Sequence, residues 1–315
     1  MKCLEIQFLL IALLAFTVFL YNSWYIYSEI ESKLENSPIL DSNIPQFYKE
    51  KVKRVFIFGI DGIGIFPRMN PTPFIQSLLE SSLHTFSGLT VSPTLSGPAW
   101  GSILHSVEPD KHNLTNFCHT PFRPDSPYPS IFRVVREKYI NASISVLTSW
   151  EPIIKGMLEP DIGIDGGVRK NDESLINSFI DYLIKNDPKL SFLMLDETDY
   201  YGHRYGYFSR EQSDYLYIVD GYLQKIYDML VKKNYVNDSL IMLVTDHGGG
   251  GVHPNKHGSD EFSDKQVFFI CSGPNIDSSE FDNFSVKDIG AFVSHFLGIK
   301  QPPLWEGKLP KQIVK

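Results

Sequence analysis

The chain has 315 residues, a net charge of −8 at pH 7, and 43% hydrophobic against 21% charged residues. That is chain enough to bury a substantial core, with an ordinary globular composition. The acidic balance and the lack of any basic run exclude a binder of nucleic-acid duplexes, whose phosphates require clustered Lys and Arg.

Residues 6–27, IQFLLIALLAFTVFLYNSWYIY, carry no charge and are long enough to cross a bilayer as a helix. Tyr21, Trp24, Tyr25 and Tyr27 would form an aromatic belt at the interface. Two readings stand: an uncleaved signal-anchor over residues 1–28, or a signal peptide whose apolar part is residues 8–20. No small-x-small cleavage site follows Leu20, which favours the anchor. Both readings send the rest into the secretory pathway: a single-pass membrane protein with a lumenal or extracellular domain, or a secreted protein if the segment is cleaved. Sequons at Asn113, Asn141, Asn237 and Asn283 are compatible with that placement. Cys118 and Cys271 are either a disulfide pair or two unpaired thiols, since sequence cannot show proximity. Residues 29–50, polar with Pro38 and Pro45, read as a stalk, and residues 51–315 as one domain.

Within that domain, strand-like runs alternate with helical patterns. Residues 52–60 (VKRVFIFGI), 144–149 (ISVLTS), 190–196 (LSFLMLD), 239–246 (SLIMLVTD) and 265–273 (KQVFFICSG) are largely continuous apolar runs. That is the pattern of strands buried on both faces. TPFIQSLLESS predicts a helix with Thr72 as N-cap and Pro73 at its first position. ESLINSFIDYLIKN sets Leu175, Ile176, Phe179, Tyr182 and Leu183 on one helical face. SREQSDYLYIVDGYLQKIYDMLVKK repeats Tyr215, Val219, Tyr222, Ile226 and Leu230, and Ser285 opens a last helix. The alternation predicts an α/β fold: a mostly parallel central sheet with helices on both faces.

In such folds function gathers beyond the carboxyl ends of the strands, where the unusual residues of this chain fall. Asp61 closes the first run. DETDYYGH sets Asp199 and His203 four apart, within reach of one ion if the segment is helical. VTDHGGGGVHPNKHG places Asp246 and His247 at a strand end, then returns to His253 and His257 through glycines that permit unusual dihedrals. Singly, each is an ordinary turn, surface pair or loop histidine. Jointly they supply mixed nitrogen and oxygen ligands for two divalent ions, a set suited to zinc more than to calcium or magnesium. In VSPTLSGPAWGSILHSVEPDKHNLTN, Ser96 stands at the start of an apparent helix. It either caps that helix or holds its hydroxyl at the positive end, where an anionic group is favoured.

Taken in order, FGIDG with PTPFIQSL, SPTLSGPAWGSILHSVEPDKHN with TN, DETDYYGHRYG with VDGYL, and VTDHGGGG with KHGSD and VFFICSGPNI resemble the alkaline phosphatase superfamily. They are most similar to its type I phosphodiesterase/nucleotide pyrophosphatase branch, over nearly all of residues 52–299. The resemblance implies an alkaline phosphatase-like α/β/α sandwich and makes residues 51–315 a catalytic phosphodiesterase-like domain. It implies one zinc, or another divalent ion, held by Asp199, His203 and His257, and a second held by Asp61, Asp246 and His247. Ser96 Oγ would be the nucleophile at the metals. His253 competes with His257, but the HG context of His257-Gly258 fits the family better. Asn116 matches the asparagine that donates to a non-bridging phosphoryl oxygen. The implied activity cleaves phosphodiester or pyrophosphate bonds in a small-molecule phosphate ester, of nucleotide or lipid-headgroup type, through a phosphoseryl intermediate. Two positions depart from the branch: Ser96 stands where threonine is usual, and His112-Asn113 where HG is common.

Sulfatases share the fold, but SGPAW puts Trp100 where their signature has arginine, so a sulfatase is not expected. A zinc phosphomonoesterase of the same superfamily and a catalytically inactive cell-surface binding module stand as alternatives. The intact ligand set favours an enzyme. Phe66, Phe117, Tyr200, Tyr201 and Tyr205 flank the motifs, either as packing or as cover for a nucleobase or lipid headgroup.

Overall fold

The computed structural model describes residues 49–313. The segment read as a signal-anchor, and all of the stalk but its last residues, lie outside them. Among the described residues no helix is long and apolar enough to cross a membrane.

The strands are β1 (Arg54–Ile60), β2 (Leu83–Leu89), β3 (Ile144–Thr148), β4 (Asp165–Val168), β5 (Leu190–Leu195), β6 (Ser239–Val244), β7 (Gln266–Ser272) and β8 (Ser279–Glu280). They form one sheet in the order β4-β3-β5-β1-β6-β7-β2-β8. From β4 to β6 every pairing is parallel. β7 then runs antiparallel to both β6 and β2, while β8 is parallel to β2. The sheet is therefore mixed, and the expected parallel arrangement holds in its centre. The antiparallel step has a consequence for the site. A chain leaving β6 to enter an antiparallel neighbour needs no crossover, so residues 245–265 stay at the carboxyl end of the central strands.

The main helices are α1 (Pro73–Leu79), α2 (Ser96–His105), α3 (Ile131–Lys138), α4 (Asp172–Lys185), α5 (Glu197–Tyr205), α6 (Arg210–Lys232) and α7 (Ile289–Phe296). The core divides between the two faces of the sheet by the period-2 alternation of the strands. Val55 and Ile57 pack with Trp100, Ile103, Phe132 and Phe292 on one face. Phe56, Phe58 and Ile60 pack with Ile75, Phe179, Val219 and Ile226 on the other. Burial on both faces explains why the strands read as continuous apolar runs. Helix starts follow local chemistry. Asn171 and Ser174 form a capping box at α4, and Ser285 with Asp288 forms one before α7. Thr72 occupies the N-cap of α1, but its hydroxyl bonds Pro67 O instead of capping. Cys118 and Cys271 are free thiols, so of the two readings the unpaired one holds.

Candidate active site

Three adjacent strands deliver the predicted ligands. Asp61 follows β1, Asp246 and His247 follow β6, and Asp199 and His203 lie on α5 directly after β5. β1 sits between β5 and β6, with Ile60 paired to Leu195 and Gly59 to Val244, so the three carboxyl ends are neighbours. On α5 the four-residue spacing puts Asp199 Oδ2 and His203 Nε2 3.2 Å apart. The loop after β6 brings back His257, whose ring stacks on His247 with centroids 3.8 Å apart. Asp264 fastens this loop by accepting from Gly251 N, Ser259 N and Ser259 Oγ. The ligating atoms of Asp61, Asp246 and His247 lie within 4.8 Å of one another, as do those of Asp199, His247 and His257. His203 extends the second group through its contact with His257, Nε2 to Nε2 at 3.2 Å. His253 is exposed and belongs to neither group.

The second contacts of the histidines fix their tautomers. Nδ1 of His203 meets Asn255 O at 2.9 Å, Nδ1 of His247 meets Gly248 O at 2.7 Å, and Nδ1 of His257 meets Thr94 O at 2.7 Å. A carbonyl only accepts, so each Nδ1 carries the proton, and whenever the ring is neutral its Nε2 presents a lone pair to the others. Burial holds His247 and His257 toward the neutral form, His257 down to about 4. His203 is held up by its bond to Asp199.

The carboxylates complete a set of acceptors. Asp61 Oδ1 and Asp246 Oδ2 are buried without a hydrogen-bond partner, 3.5 Å and 3.3 Å from His247 Nε2. Burial and the Asp246 charge push the Asp61 carboxyl well above its usual range, and burial with the Asp199 charge brings Asp246 to about 8. Asp199 is pushed up by burial too, but the His203 bond and the neighbouring histidine rings hold it at about 2. Lone pairs and carboxylates gathered in a buried place repel unless a cation lies among them. The donor set therefore fits metal ions, with the nitrogen-oxygen mixture that suits zinc.

Ser96 opens α2, whose N-cap is Leu95, so the serine does not cap the helix. Its Oγ lies 3.1 Å from His247 Nε2, and since that nitrogen bears the lone pair the hydroxyl donates. Gly97 is required by close approach: a Cβ there would strike the backbone of Thr115 and Asn116. The same contact lets Gly97 N donate to Asn116 Oδ1 at 2.6 Å, which fixes the amide orientation and leaves Nδ2 free to donate elsewhere. Among the flanking aromatics, Phe66 is buried against Phe208, and Tyr201 stacks on Tyr215. Phe117, Tyr200 and Tyr205 are exposed, at 82%, 49% and 45%.

Other residues of the site carried no sequence signal. Trp100 Nε1 donates to Asp61 Oδ2 at 2.8 Å, and Tyr207 Oη donates to Asp199 Oδ1 at 2.5 Å. Thr198 Oγ1 holds Asp61 O, and Gln212 Nε2 holds the carbonyls of Gly62 and Thr198. The glycines of DHGGGG gave the one available hint, because a Cβ on Gly249 would enter the Tyr207 ring.

A family model described as Type I phosphodiesterase / nucleotide pyrophosphatase matches residues 55–270. The chain is 34% identical over 74 residues to ectonucleotide pyrophosphatase/phosphodiesterase 2 of Saccharomyces cerevisiae, covering 23% of this chain and 15% of that protein. It is 25% identical over 276 residues to GPI ethanolamine phosphate transferase 1 of the same yeast, covering 76% of this chain and 30% of that one. The chain thus spans less than a third of either curated relative. An inactive substituted variant of murine ectonucleotide pyrophosphatase/phosphodiesterase 5, in complex with AMP, superposes with a TM-score of 0.66 at 14% identity. That likeness covers 81% of this chain and 97% of the murine one, and it shows a shared fold.

Proposed function

Since the chain belongs to the type I phosphodiesterase/nucleotide pyrophosphatase family, we propose that it is a two-zinc phosphoryl-transfer hydrolase acting through a phosphoseryl intermediate on Ser96. The observation that carries this reading is the convergence of lone pairs: the Nε2 atoms of three histidines and two orphaned carboxylate oxygens, with Ser96 Oγ among them. Asp199, His203 and His257 would hold one ion, and Asp61, Asp246 and His247 the other. Bound zinc supplies Lewis acidity, which makes a serine oxygen a competent nucleophile near neutral pH and offsets charge on the phosphoryl group.

The chain's own residues do the rest. Helix α2 holds Ser96 Oγ at its positive end, where the backbone favours the anionic form of the nucleophile and of the phosphoryl group. Attack by Oγ forms an O–P bond as the scissile ester bond breaks and the alcohol departs with the serine proton. Water then cleaves the O–P bond, releasing the phosphate product and returning a proton to Oγ. Asn116, oriented by Gly97 N, offers its Nδ2 to a non-bridging oxygen, where a fixed donor stabilises developing charge. The substrate is a small phosphate ester of nucleotide or lipid-headgroup type. The AMP bound by the murine protein supports the nucleotide side, and Phe117, exposed and next in the chain to Asn116, would cover a base. The wider match to a yeast ethanolamine phosphate transferase favours a second reading, in which an acceptor hydroxyl replaces water in the second step. Lumenal placement behind an N-terminal anchor is part of the proposal, supported by the apolar run at 6–27 and by four exposed sequon asparagines.

The test compares the protein and its Ser96→Ala variant on a nitrophenyl phosphodiester and a nitrophenyl phosphomonoester, with zinc and after chelation. Zinc-dependent cleavage favouring the diester, lost in Ser96→Ala by at least about 1,000-fold, is expected. Monoester preference would move the chain to the phosphatases. Added alcohol diverting product from hydrolysis would favour the transferase reading. Full activity in Ser96→Ala would overturn the mechanism.

A further inference from the structure

The three carboxylates of the site share an arrangement. Each has one oxygen held by a protein donor and the other turned toward the histidines. For Asp246 the donor is a backbone group, Gly62 N on Oδ1 at 3.2 Å. For the other two it is an aromatic side chain: Trp100 Nε1 on Asp61 Oδ2, and Tyr207 Oη on Asp199 Oδ1. The oxygens left over are those that face the site. Asp61 Oδ1 and Asp246 Oδ2 are buried without a partner, and Asp199 Oδ2 lies 3.2 Å from His203 Nε2.

Both aromatic donors are locked by their packing. Trp100 is wholly buried, its ring lies against Gly59 of β1 where any Cβ would enter it, and Phe192 meets it edge-on. Tyr207 is 7% exposed and sits between Gly202 and Gly249, both of which would strike its ring if they carried a Cβ. The two donors reach the site from separate elements. Trp100 is one turn along α2 from Ser96, and Tyr207 follows the end of α5 beyond His203. A buried indole N–H or phenol O–H needs an acceptor in any protein. What sets these apart is that each takes one oxygen of a carboxylate predicted to bind a different ion.

We propose that Trp100 and Tyr207 are positioning residues, one for each ion, that select which oxygen of Asp61 and of Asp199 its ion receives. By occupying one oxygen, each donor bars the carboxylate from rotating or from offering both oxygens at once, and fixes the ligand before the ion arrives. The inference rests on the two-ion reading above and adds residues that reading does not contain.

The test uses the full chain, freed of metal, and its Trp100→Phe, Tyr207→Phe and double variants. Phenylalanine keeps an aromatic ring and removes the donor. Zinc is titrated against a chromophoric chelator to resolve two binding constants, thermal unfolding of the metal-free proteins is followed, and kcat and KM are measured separately. Each single variant is expected to weaken one of the two zinc constants by about 10- to 100-fold and leave the other near wild type. The double variant should show both weakened, each to the extent seen singly. Two wild-type constants in both single variants would overturn the proposal while leaving the two-ion reading intact. So would equal weakening of both constants in each single variant, which is what general loosening of the fold produces. A wild-type protein that binds no zinc would overturn the two-ion reading and this inference together. If Trp100→Phe does not fold, Tyr207→Phe, which removes one oxygen atom, decides the matter by the same criterion.

Discussion

Leu114 donates its backbone N–H to His112 Nδ1 at 2.9 Å, which leaves Nε2 protonated against Ser102 Oγ at 3.1 Å. The ring also fills the space above Gly101, where a Cβ would strike it. Burial, with the neighbouring His105 adding to it, pulls the His112 imidazole down to about 3 from an ordinary 6.5. The folded value lies below the unfolded one, so between them the unfolded chain holds a proton that the folded chain refuses. Stability is therefore intact above the unfolded value and is lost as pH falls through that window, on the order of 5 kcal/mol at most. His112→Asn, whose Oδ1 can still accept from Leu114 N, should flatten the decline of unfolding free energy between about pH 7 and pH 4. Parallel pH profiles for the two proteins in urea would contradict this. The adjoining Asn113 has φ of 56°, the left-handed conformation that glycine usually fills and asparagine tolerates best among other residues. The departure from HG is thus accommodated by the backbone. The residue-level roles that could not be read from sequence are those of Trp100 and Tyr207. A tryptophan in a helix reads as core, and its bond to Asp61 spans 39 positions that only the fold brings together.

The loop after Thr245, closed by the helical turn Phe262–Lys265, shows how a segment with little regular structure can be fixed. Gly251 N, Ser259 N and Ser259 Oγ all donate to the buried Asp264, which ties the segment carrying His257 back to its own end. Asp264→Ala should lower the unfolding free energy by about 2–4 kcal/mol, since it leaves several donors of a charged acceptor unpaired. It should also weaken zinc binding at the His257 set more than at the Asp61 set. Denaturant unfolding and chelator competition measure the two effects, and an unchanged protein on both counts would contradict the role given to the clasp. Elements differ in how far the sequence declares them. β1, β5, β6 and β7 are buried on both faces and announce themselves as apolar runs. β4 (DGGV) has almost no apolar content and exists because it pairs with β3, and β8 is two residues long. β2 (LHTFSGL) mixes polar and apolar residues and carries a register irregularity, so neither strand pattern fits it. That β7 runs antiparallel is also invisible in its composition, because both directions bury the same side chains.

For the molecule as a whole, one sheet collects candidate ligands that are far apart in the chain. Asp61 and Asp246 stand 185 positions apart by subtraction of their numbers, yet β1 and β6 are paired neighbours and their ends meet. The ordered motifs made this legible, because the parallel strands of an α/β sheet all present their carboxyl ends on one side. The packing that orients the ligands was not legible, because it depends on contacts between faces that periodicity alone does not pair. If this end of the sheet is the proposed nucleophilic phosphoryl-transfer site, Ser96 is covalently modified in each turnover. Rapid acid quench of the zinc-loaded protein during cleavage of a nitrophenyl phosphodiester, followed by mass spectrometry, tests that claim most directly. A phosphoryl group on Ser96 that still carries the substrate's second ester, formed at least as fast as turnover and absent from Ser96→Ala, is the predicted result. Turnover with no modification of Ser96, together with an active Ser96→Ala variant, would contradict the account.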